Sequence, residues 1–137
     1  MNPHPLNIRN YSASDLEGAF QLLTSNGWSH RISNLEFLER LVSASQRVVV
    51  AMAQDKVIGF GRAITDGISN GYLSMLVVAP EWRGRGIGRS LVEEIVRGGE
   101  GVTWMLRASR SQAPEFFTKL GFMPSFDAME RARKHTS

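Results

Sequence analysis

The segment from Leu76 to Ser90 constrains the fold of this chain more than any other part of the sequence. Its pattern predicts a buried strand that ends at Pro80, then a glycine-rich turn, then a helix that begins near Ile87. The turn and the helix start contain Gly84, Gly86 and Gly88. Glycines let the backbone approach a ligand closely, because no side chain stands in between. Free N–H groups and the helix dipole favour an anion at such a helix start. We therefore expect this segment to bind a phosphate group.

Basic residues are concentrated in the same segment. The protein has 16 Lys and Arg residues against 13 Asp and Glu residues, which gives a formal net charge of +3. The tightest internal cluster consists of Arg83, Arg85 and Arg89. On a helix, arginines four residues apart would repel each other weakly unless an anion lay between them. The other basic run, 131–135, is most simply a solvated tail, and no nucleic-acid-binding signature accompanies it. We therefore predict a small polyanionic ligand and no nucleic-acid partner.

Two common phosphate-binding loops fit the segment poorly. A dinucleotide-binding fingerprint requires glycine where Arg89 stands, and no acidic residue ends a following parallel strand. A P-loop requires Gly-Lys followed by Ser or Thr, and the sequence contains no such run. A plain glycine-rich turn with solvated arginines remains an alternative.

The composition is that of an ordinary folded domain. The chain has 137 residues, of which 42% are hydrophobic and 21% charged, so we predict one domain over residues 1–137 and exclude intrinsic disorder. The absence of cysteine excludes disulfides, thiolate zinc sites and cysteine nucleophiles, and three scattered histidines do not indicate a metal site. No apolar run approaches the roughly 20 residues that span a bilayer, so we predict no membrane partner. These features are typical of a cytoplasmic protein.

Hydrophobic periodicity predicts the element order β, α, α, β, β, β, α, β, α, β. The first two helices follow the capping signatures Ser14 with Glu17 and Ser33 with Glu36. The expected later elements are strands at 48–52, 57–65, 72–78 and 103–108, a helix from 87 to a stop at 98–99, a helix at about 112–120, and a last strand at 122–128.

In this context the chain resembles the GNAT superfamily of acyl-coenzyme-A-dependent N-acetyltransferases. The family's cofactor signature, Arg/Gln-x-x-Gly-x-Gly/Ala, matches residues 83–88, and the common L-x-V-x-P pattern precedes it at 76–80. The family's C-terminal pattern matches Ala113, Phe116, Phe117, Gly121 and Phe122. The resemblance covers essentially the whole chain. It implies an α/β (α+β) fold with a mixed, mostly antiparallel sheet flanked by helices and splayed between the strands at about 72–78 and 103–108.

The resemblance also implies a cofactor, acetyl-CoA, and the residues that bind it. Main-chain groups of Leu76, Val77 and Val78 are expected to pair with the pantetheine arm like an added strand. The pyrophosphate is expected at residues 83–90, namely Arg83, Gly84, Arg85, Gly86, Ile87, Gly88, Arg89 and Ser90. The activity implied is direct acetyl transfer to a primary amine on a small molecule or a peptide, without a covalent enzyme intermediate. A monomer and a homodimer both remain open.

Two positions depart from the family pattern. Arg110 stands where many relatives have Asn, and Phe117, also expected near the cofactor, stands where many have a tyrosine that protonates the leaving thiolate. A phenyl ring cannot donate that proton. A non-catalytic acyl-CoA-binding sensor on the same fold is therefore the alternative function.

The acceptor amine must lose a proton before it can attack, since an alkyl amine with a pKa near 10.4 is almost entirely charged at pH 7. By position in the family, Tyr72 is the leading candidate for the base, and packing of its ring on the sheet is the competing interpretation. Asp66, Ser74 and Glu81 are weaker candidates. Trp28 and His30 lie in the helix–loop–helix region and are the candidate substrate-binding residues.

Overall fold

The computed structural model describes residues 6–134, and it contains a five-stranded sheet with helices on both faces. The strands are β1 (Asn7–Asn10), β2 (Arg47–Ala53), β3 (Lys56–Thr65), β4 (Asn70–Val78) and β5 (Thr103–Met105). The helices are α1 (Leu16–Leu23), α2 (Leu35–Ser43), α3 (Ile87–Val96) and α4 (Ala113–Thr118). The sheet order is β1-β2-β3-β4-β5, antiparallel throughout except for the parallel pair β4–β5. The predicted mixed, mostly antiparallel α/β fold is confirmed.

Strand β3 separates the two layers of helices. An added Cβ on Gly59 or Gly61 would lie about van der Waals distance or closer to Leu91 and Ile95 of α3, so these glycines permit close packing of α3 on the sheet. Alternate residues of a strand point to opposite faces, so Phe60 and its even-numbered neighbours face the other layer, which contains α1 and α2. Phe60, Leu91 and Ile95 are fully buried. The hydrophobic core therefore lies on both sides of β3.

The predicted starts of α1 and α2 are wrong by one or two residues. A short 3₁₀ turn precedes α1, and Asp15 rather than Glu17 accepts the helix-start hydrogen bond, from the Ser12 N–H at 2.8 Å. The side chain of Asn34, not that of Ser33, caps α2 by accepting from the Phe37 N–H. In both cases the residue that caps the helix is a near neighbour of the predicted one, and both are of types that commonly cap helices.

Asp15 also joins the first strand to the first helix. Its two carboxylate oxygens accept from the two terminal nitrogens of Arg9, each at 2.8 Å. This hydrogen-bonded pairing lowers the pKa of Asp15 below its ordinary value, and burial opposes the effect only in part. The Asp15 side chain is 4% exposed and that of Arg9 is 35% exposed, so this partly buried pair fixes β1 against the start of α1.

The C-terminal part differs most from the predicted elements. Strand β5 ends at Met105 rather than 108, and the residues from 122 to 134 contain no strand where one was predicted at 122–128. The chain divides into two units, with the boundary between Arg107 and Ala108. Within the second unit, the ring of Phe117 contacts the rings of Phe116 and Phe122 edge-on, at centroid distances of 4.9 and 5.6 Å. Three apolar residues of its tail, Met123, Phe126 and Met129, are almost fully exposed.

Candidate functional site

The segment 83–90, which we call the cofactor loop, joins β4 to α3 through backbone conformations that favour glycine. Gly84 has φ +78°, and Gly86, the N-cap of α3, has φ +79°. An added Cβ at either position would have no heavy atom within 4 Å, so the space beside the backbone is open. The first hydrogen bond of the α3 ladder is donated by the Ser90 N–H to the Gly86 carbonyl at 3.1 Å. The N–H groups of Ile87, Gly88 and Arg89 therefore have no helical acceptor. These features fit the pyrophosphate of acetyl-CoA.

Two arginines of the cofactor loop, Arg83 and Arg85, have contacts that position their side chains. Arg83 donates from Nε to the Val78 carbonyl at 2.9 Å, which ties the loop to the end of β4. The Arg85 guanidinium lies 4.7 Å from the centroid of the Trp82 ring, a cation–π contact. Arg85 precedes α3 rather than lying on it, so the predicted helical spacing of Arg85 and Arg89 does not occur. All three arginines are exposed and available to an anion.

Strand β4 leaves an open edge next to this loop. Its parallel pairing with β5 begins at Asn70–Thr103 and ends at Tyr72–Met105, whereas its pairing with β3 continues to Val78. In the described residues, β4 beyond Tyr72 therefore has a strand partner on one side only. The side chain of Val77 is buried and Leu76 packs towards Gly61. The Val78 carbonyl accepts from Arg83, so the other main-chain groups of 76–78 that face away from β3 are the part that a ligand could pair with at this edge.

Tyr72 lies where β4 and β5 begin to separate. It pairs with Ile64 of β3 and Met105 of β5, and cross-strand partners share a face of the sheet. The face is the one opposite α3. We call Ile64, Tyr72 and Met105 the acceptor row. Their exposed fractions are 45%, 36% and 42%, which is high for large apolar or aromatic residues on a sheet. The row is an open surface at the point where the sheet splays.

The weaker base candidates differ in what their side chains do. Asp66 accepts from the N–H groups of Ile68, Ser69 and Asn70 and from the Ser69 hydroxyl, so its carboxylate organises the β3–β4 turn. These bonds, that of the Ser69 hydroxyl first, hold the pKa of Asp66 far below its usual range. Ser74 is half-buried on the same face as Tyr72, and Glu81 is exposed in the 3₁₀ turn before the cofactor loop. A carboxylate held ionised by four donors is a poor proton acceptor, which weakens the case for Asp66.

The predicted acceptor-binding residues lie between α1 and α2. Trp28 ends the irregular turn that follows α1, where Gly27 has φ +96°, and its carbonyl accepts from the N–H groups of Arg31 and Ile32. The rings of Trp28 and His30 are nearly parallel, with centroids 6.4 Å apart. The indole Nε1 of Trp28 is buried and has no hydrogen-bond acceptor in the described part of the chain. Trp28 and His30 thus form one aromatic pair, and their contact with an acceptor remains a prediction.

Arg62 is a further polar residue of this face, and its sequence context gave little indication of a role in the site. It lies on β3 directly opposite Ser74 and is 8% exposed. Burial lowers its pKa, and interaction with Tyr72 partly offsets that effect. The sequence feature that could have pointed to Arg62 is a basic residue inside an otherwise apolar strand, between Gly61 and Ala63.

The remaining predicted site residue, Phe117, lies in the second unit, where it is 9% exposed within its aromatic cluster. Its role near the cofactor remains a prediction.

Among residues 6–134 there is no group of three or more His, Cys, Asp or Glu side chains that could hold a metal ion. Within the same range, none of the helices is both long enough and apolar enough to cross a membrane.

Comparison with known sequences gives consistent matches. The sequence model of the Acetyltransferase (GNAT) domain matches residues 44–124. The GCN5-related N-acetyltransferase 2 of Arabidopsis thaliana chloroplasts is 34% identical over 71 residues, which cover 50% of this chain and 28% of that protein. The chain thus spans less than a third of that plant relative. The PanD regulatory factor of Salmonella typhimurium is 32% identical over 95 residues, which cover 66% of this chain and 74% of that protein.

Solved structures share the fold over nearly the whole length. A GNAT-family acetyltransferase of Streptococcus pneumoniae superposes with a TM-score of 0.80 at 24% identity, covering 97% of this chain and 100% of that one. A predicted acetyltransferase of Clostridium acetobutylicum, solved with acetyl-CoA, superposes with a TM-score of 0.72 at 17% identity, covering 93% of this chain and 96% of that one. At these identities the superpositions establish the fold alone. The match of the domain family to more than half of the sequence, on a sheet with the same architecture, shows that the chain belongs to the GNAT acetyltransferase family.

Proposed function

We propose that this protein transfers an acetyl group from acetyl-CoA to a primary amine, by direct transfer in a ternary complex, and that residues 1–137 act as one N-acetyltransferase domain. The observation that carries the proposal is the open edge of β4 leading directly into the cofactor loop. The family transfers acetyl groups to amines in general, and the finer assignments below concern this chain.

The cofactor loop supplies the binding energy for the donor. The N–H groups at the start of α3 point out of the helix end, and Arg83 and Arg85 lie beside them. A charge-assisted bond to a phosphate contributes about 1.5–3 kcal/mol. Because Arg83 already donates from Nε to Val78, its terminal nitrogens remain for the phosphate while its position is fixed. The adjoining edge of β4 then holds the pantetheine arm by main-chain hydrogen bonds.

The acceptor approaches from the face that carries the acceptor row. The amine nitrogen attacks the thioester carbonyl, the carbon–sulfur bond breaks, and the thiolate leaves with the electron pair of that bond. The proton of the attacking amine passes to solvent, either through the hydroxyl of Tyr72, which accepts it while giving its own proton to water, or through an ordered water alone. Tyr72 lies at the splay of β4 and β5. Phe117 has no hydroxyl, so the departing thiolate takes its proton from solvent.

A second function is supported by two particular observations. Phe117 stands where many family members have the acidic tyrosine, and one relative is named a regulatory factor. A protein that binds acetyl-CoA without acetylating anything would use the same cofactor loop. We therefore keep a non-catalytic acyl-CoA sensor as the alternative.

Thiol release separates the two functions. The purified chain is incubated with acetyl-CoA and a panel of primary amines, and free thiol is followed together with the mass of each amine. Transfer predicts amine-dependent thiol release in equal amount to the acetylated product. Saturable acetyl-CoA binding with thiol release no faster than without amine would support the sensor and contradict the transferase. The Gly86→Val variant, in which the cofactor loop is blocked, is the control for both.

A further inference from the structure

Arg62 is a buried cation on the acceptor side of the sheet, and the proposed chemistry does not use it. The residue is 8% exposed, because it belongs to β3 and points to the face that α1 and α2 cover. Burying a guanidinium costs several kcal/mol unless hydrogen bonds and an opposite charge compensate. Its burial therefore raises the question of which groups bind it.

The contacts of Arg62 leave most of its donors unused. Nε donates to the Ser45 hydroxyl at 2.7 Å, and this hydroxyl donates to the Leu41 carbonyl near the end of α2. One terminal nitrogen lies 3.8 Å from the Met75 sulfur, which is a weak acceptor. Within residues 6–134, no carboxylate forms an ion pair with Arg62. A guanidinium has five N–H groups, and the two contacts of Arg62 are to a hydroxyl and to a sulfur. None of its N–H groups therefore has an anionic acceptor in this part of the chain.

The position of Arg62 relates it to the acceptor row. Arg62 is opposite Ser74, one same-face step along the strands from the Ile64–Tyr72 pair. Diagonal neighbours of this kind are roughly 7–8 Å apart, a distance that a long side chain can span. The register of β3 and β4 shifts on the other side of Arg62, between Phe60 and Arg62, where Met75 has φ +60° and its sulfur lies against Arg62. The bonds to Ser45 and Met75 fix the guanidinium in place before a ligand arrives.

We propose that Arg62 binds a carboxylate carried by the acceptor, so that the preferred acceptors are amino acids or other short aminocarboxylates. This inference rests on the proposed acetyl transfer and specifies its substrate class. A planar carboxylate matches the planar donor set of a guanidinium and supplies the missing opposite charge. With the carboxylate at Arg62 and the amine near Tyr72, only a few bonds separate the two groups of the acceptor. The apolar residues Ile64 and Met105 then contact its carbon chain.

A purely structural role for Arg62 would have different consequences. The bond to Ser45 joins β3 to the end of α2, and loss of that bond alone would weaken the fold without regard to the charge of the acceptor. Binding of a carboxylate instead makes the effect of the substitution depend on the acceptor. The test must therefore compare acceptors that differ only in this group.

The experiment measures kcat and KM for matched pairs, each an amino acid and its amide, with wild type and Arg62→Gln. We expect wild type to favour the carboxylate by about tenfold or more in kcat/KM, mainly through KM, as for the loss of one charge-assisted bond. Arg62→Gln should lose this preference, and Arg62→Lys should retain part of it. The matched control Lys56→Gln removes an exposed cation from the same strand and should leave the preference unchanged. A wild type that favours the amide, or an Arg62→Gln protein that still favours the carboxylate, would overturn the proposal.

Binding distinguishes this inference from the proposed function. If no amine is acetylated, the transferase proposal fails, but the melting temperature still reports on Arg62. The carboxylate should then raise the melting temperature of wild type more than the amide does, in the presence of coenzyme A. Equal effects of acid and amide would overturn the carboxylate site, whether or not acetyl-CoA binds. The same measurement is made with an amine that carries a phosphate in place of the carboxylate. If this phosphate compound raised the melting temperature more than the carboxylate compound does, the proposal would also be contradicted. This comparison uses wild type alone, so it holds even if Arg62→Gln does not fold.

Discussion

The cofactor loop is one continuous stretch of chain, whereas the acceptor row and Arg62 combine side chains from β3, β4 and β5. The loop offers backbone N–H groups, whose directions depend on the local conformation of Gly84 and Gly86. The acceptor side offers side chains, whose neighbours come from distant parts of the sequence. Under the proposed function, donor binding would be a local property of the sequence, while acceptor choice would depend on tertiary packing. A substitution in the loop should affect every reaction of the protein, and one on the acceptor side should affect only some acceptors.

The largest expected effect follows from Gly86→Val. A valine at this position must adopt φ near +79°, and its side chain would enter the open space beside the backbone. We expect acetyl-CoA binding to weaken by about 100-fold or more, which corresponds to roughly 2.8 kcal/mol. Isothermal titration measures the change, and circular dichroism establishes that the variant is folded.

Gly98→Val is the matched control for that variant. Gly98 also has a positive φ, +74°, and an equally open Cβ position, but it follows the other end of α3. The backbone strain is therefore similar, roughly 1–2 kcal/mol, while the cofactor loop is untouched. Equal loss of acetyl-CoA binding in both variants would mean that strain in α3, not the loop, controls binding.

Arg83→Ala should produce the next largest effect on the donor side. The substitution removes both the bond to Val78 and the charge beside the helix start. We expect acetyl-CoA affinity to fall by about 1–3 kcal/mol, measured by the same titration. Arg131→Ala, in the exposed C-terminal tail, should change the affinity little. If the two variants lose affinity equally, general electrostatic attraction rather than a defined pyrophosphate site would explain the binding.

Tyr72→Phe tests the acceptor side. It keeps the ring of the acceptor row and removes only the hydroxyl, so donor binding should not change. We expect kcat to fall by about tenfold or more, because a positioned proton-transfer group contributes roughly 10²–10⁴-fold, with partial recovery at high pH where solvent deprotonates the amine. A pH–rate profile between about pH 6 and 9 measures both effects. Wild-type rates across that range would exclude Tyr72 from proton transfer and leave its ring as packing.

Asp15→Asn should give the smallest effect, on stability rather than on either ligand. It weakens the pairing with Arg9 and the helix-start bond from Ser12, which should cost about 1–2 kcal/mol at neutral pH. Because the folded pKa of Asp15 is lowered, its contribution is complete above the ordinary value of 3.8 and is lost as the pH falls through the lowered value. The difference in melting temperature between wild type and variant should therefore narrow in acid.

Glu17→Gln is the control for this substitution. Glu17 lies in the first turn of α1 but does not receive the Ser12 bond, so the melting temperature should stay within the range of an ordinary surface change, about 0.5 kcal/mol. A larger effect of Glu17→Gln than of Asp15→Asn would contradict the arrangement at the start of α1.

The elements that carry local signals were predicted well. Strands β2, β3 and β4 and helix α3 lie within one or two residues of the expected bounds, because apolar periodicity, Pro80 and the glycines of the cofactor loop act over short distances. The helix caps were predicted one or two residues away from their positions, since several Ser, Asp and Asn residues lie close together and the capping residue depends on partners such as Arg9. The predicted last strand does not occur in residues 122–128, where apolar residues such as Met123 and Phe126 are exposed rather than packed on the sheet.

The two parts of the candidate site also differ in how well the sequence predicts them. The cofactor loop could be identified from its glycines and arginines, because the binding groups follow one another in the sequence. Arg62 could not, since a single arginine in a strand is normally exposed, and its burial depends on Ser45 and Met75 from other elements. The splay at Tyr72 likewise depends on where β5 ends.

The central claim is that the backbone of the cofactor loop binds the donor, and a titration of backbone amide resonances with coenzyme A tests it most directly. The account predicts saturable shifts at the amides of residues 84–90 and of 76–78, while the amides of the turn at 66–70 remain unchanged. Binding that leaves the loop amides unshifted at saturation, or that shifts amides near basic side chains throughout the protein, would contradict it.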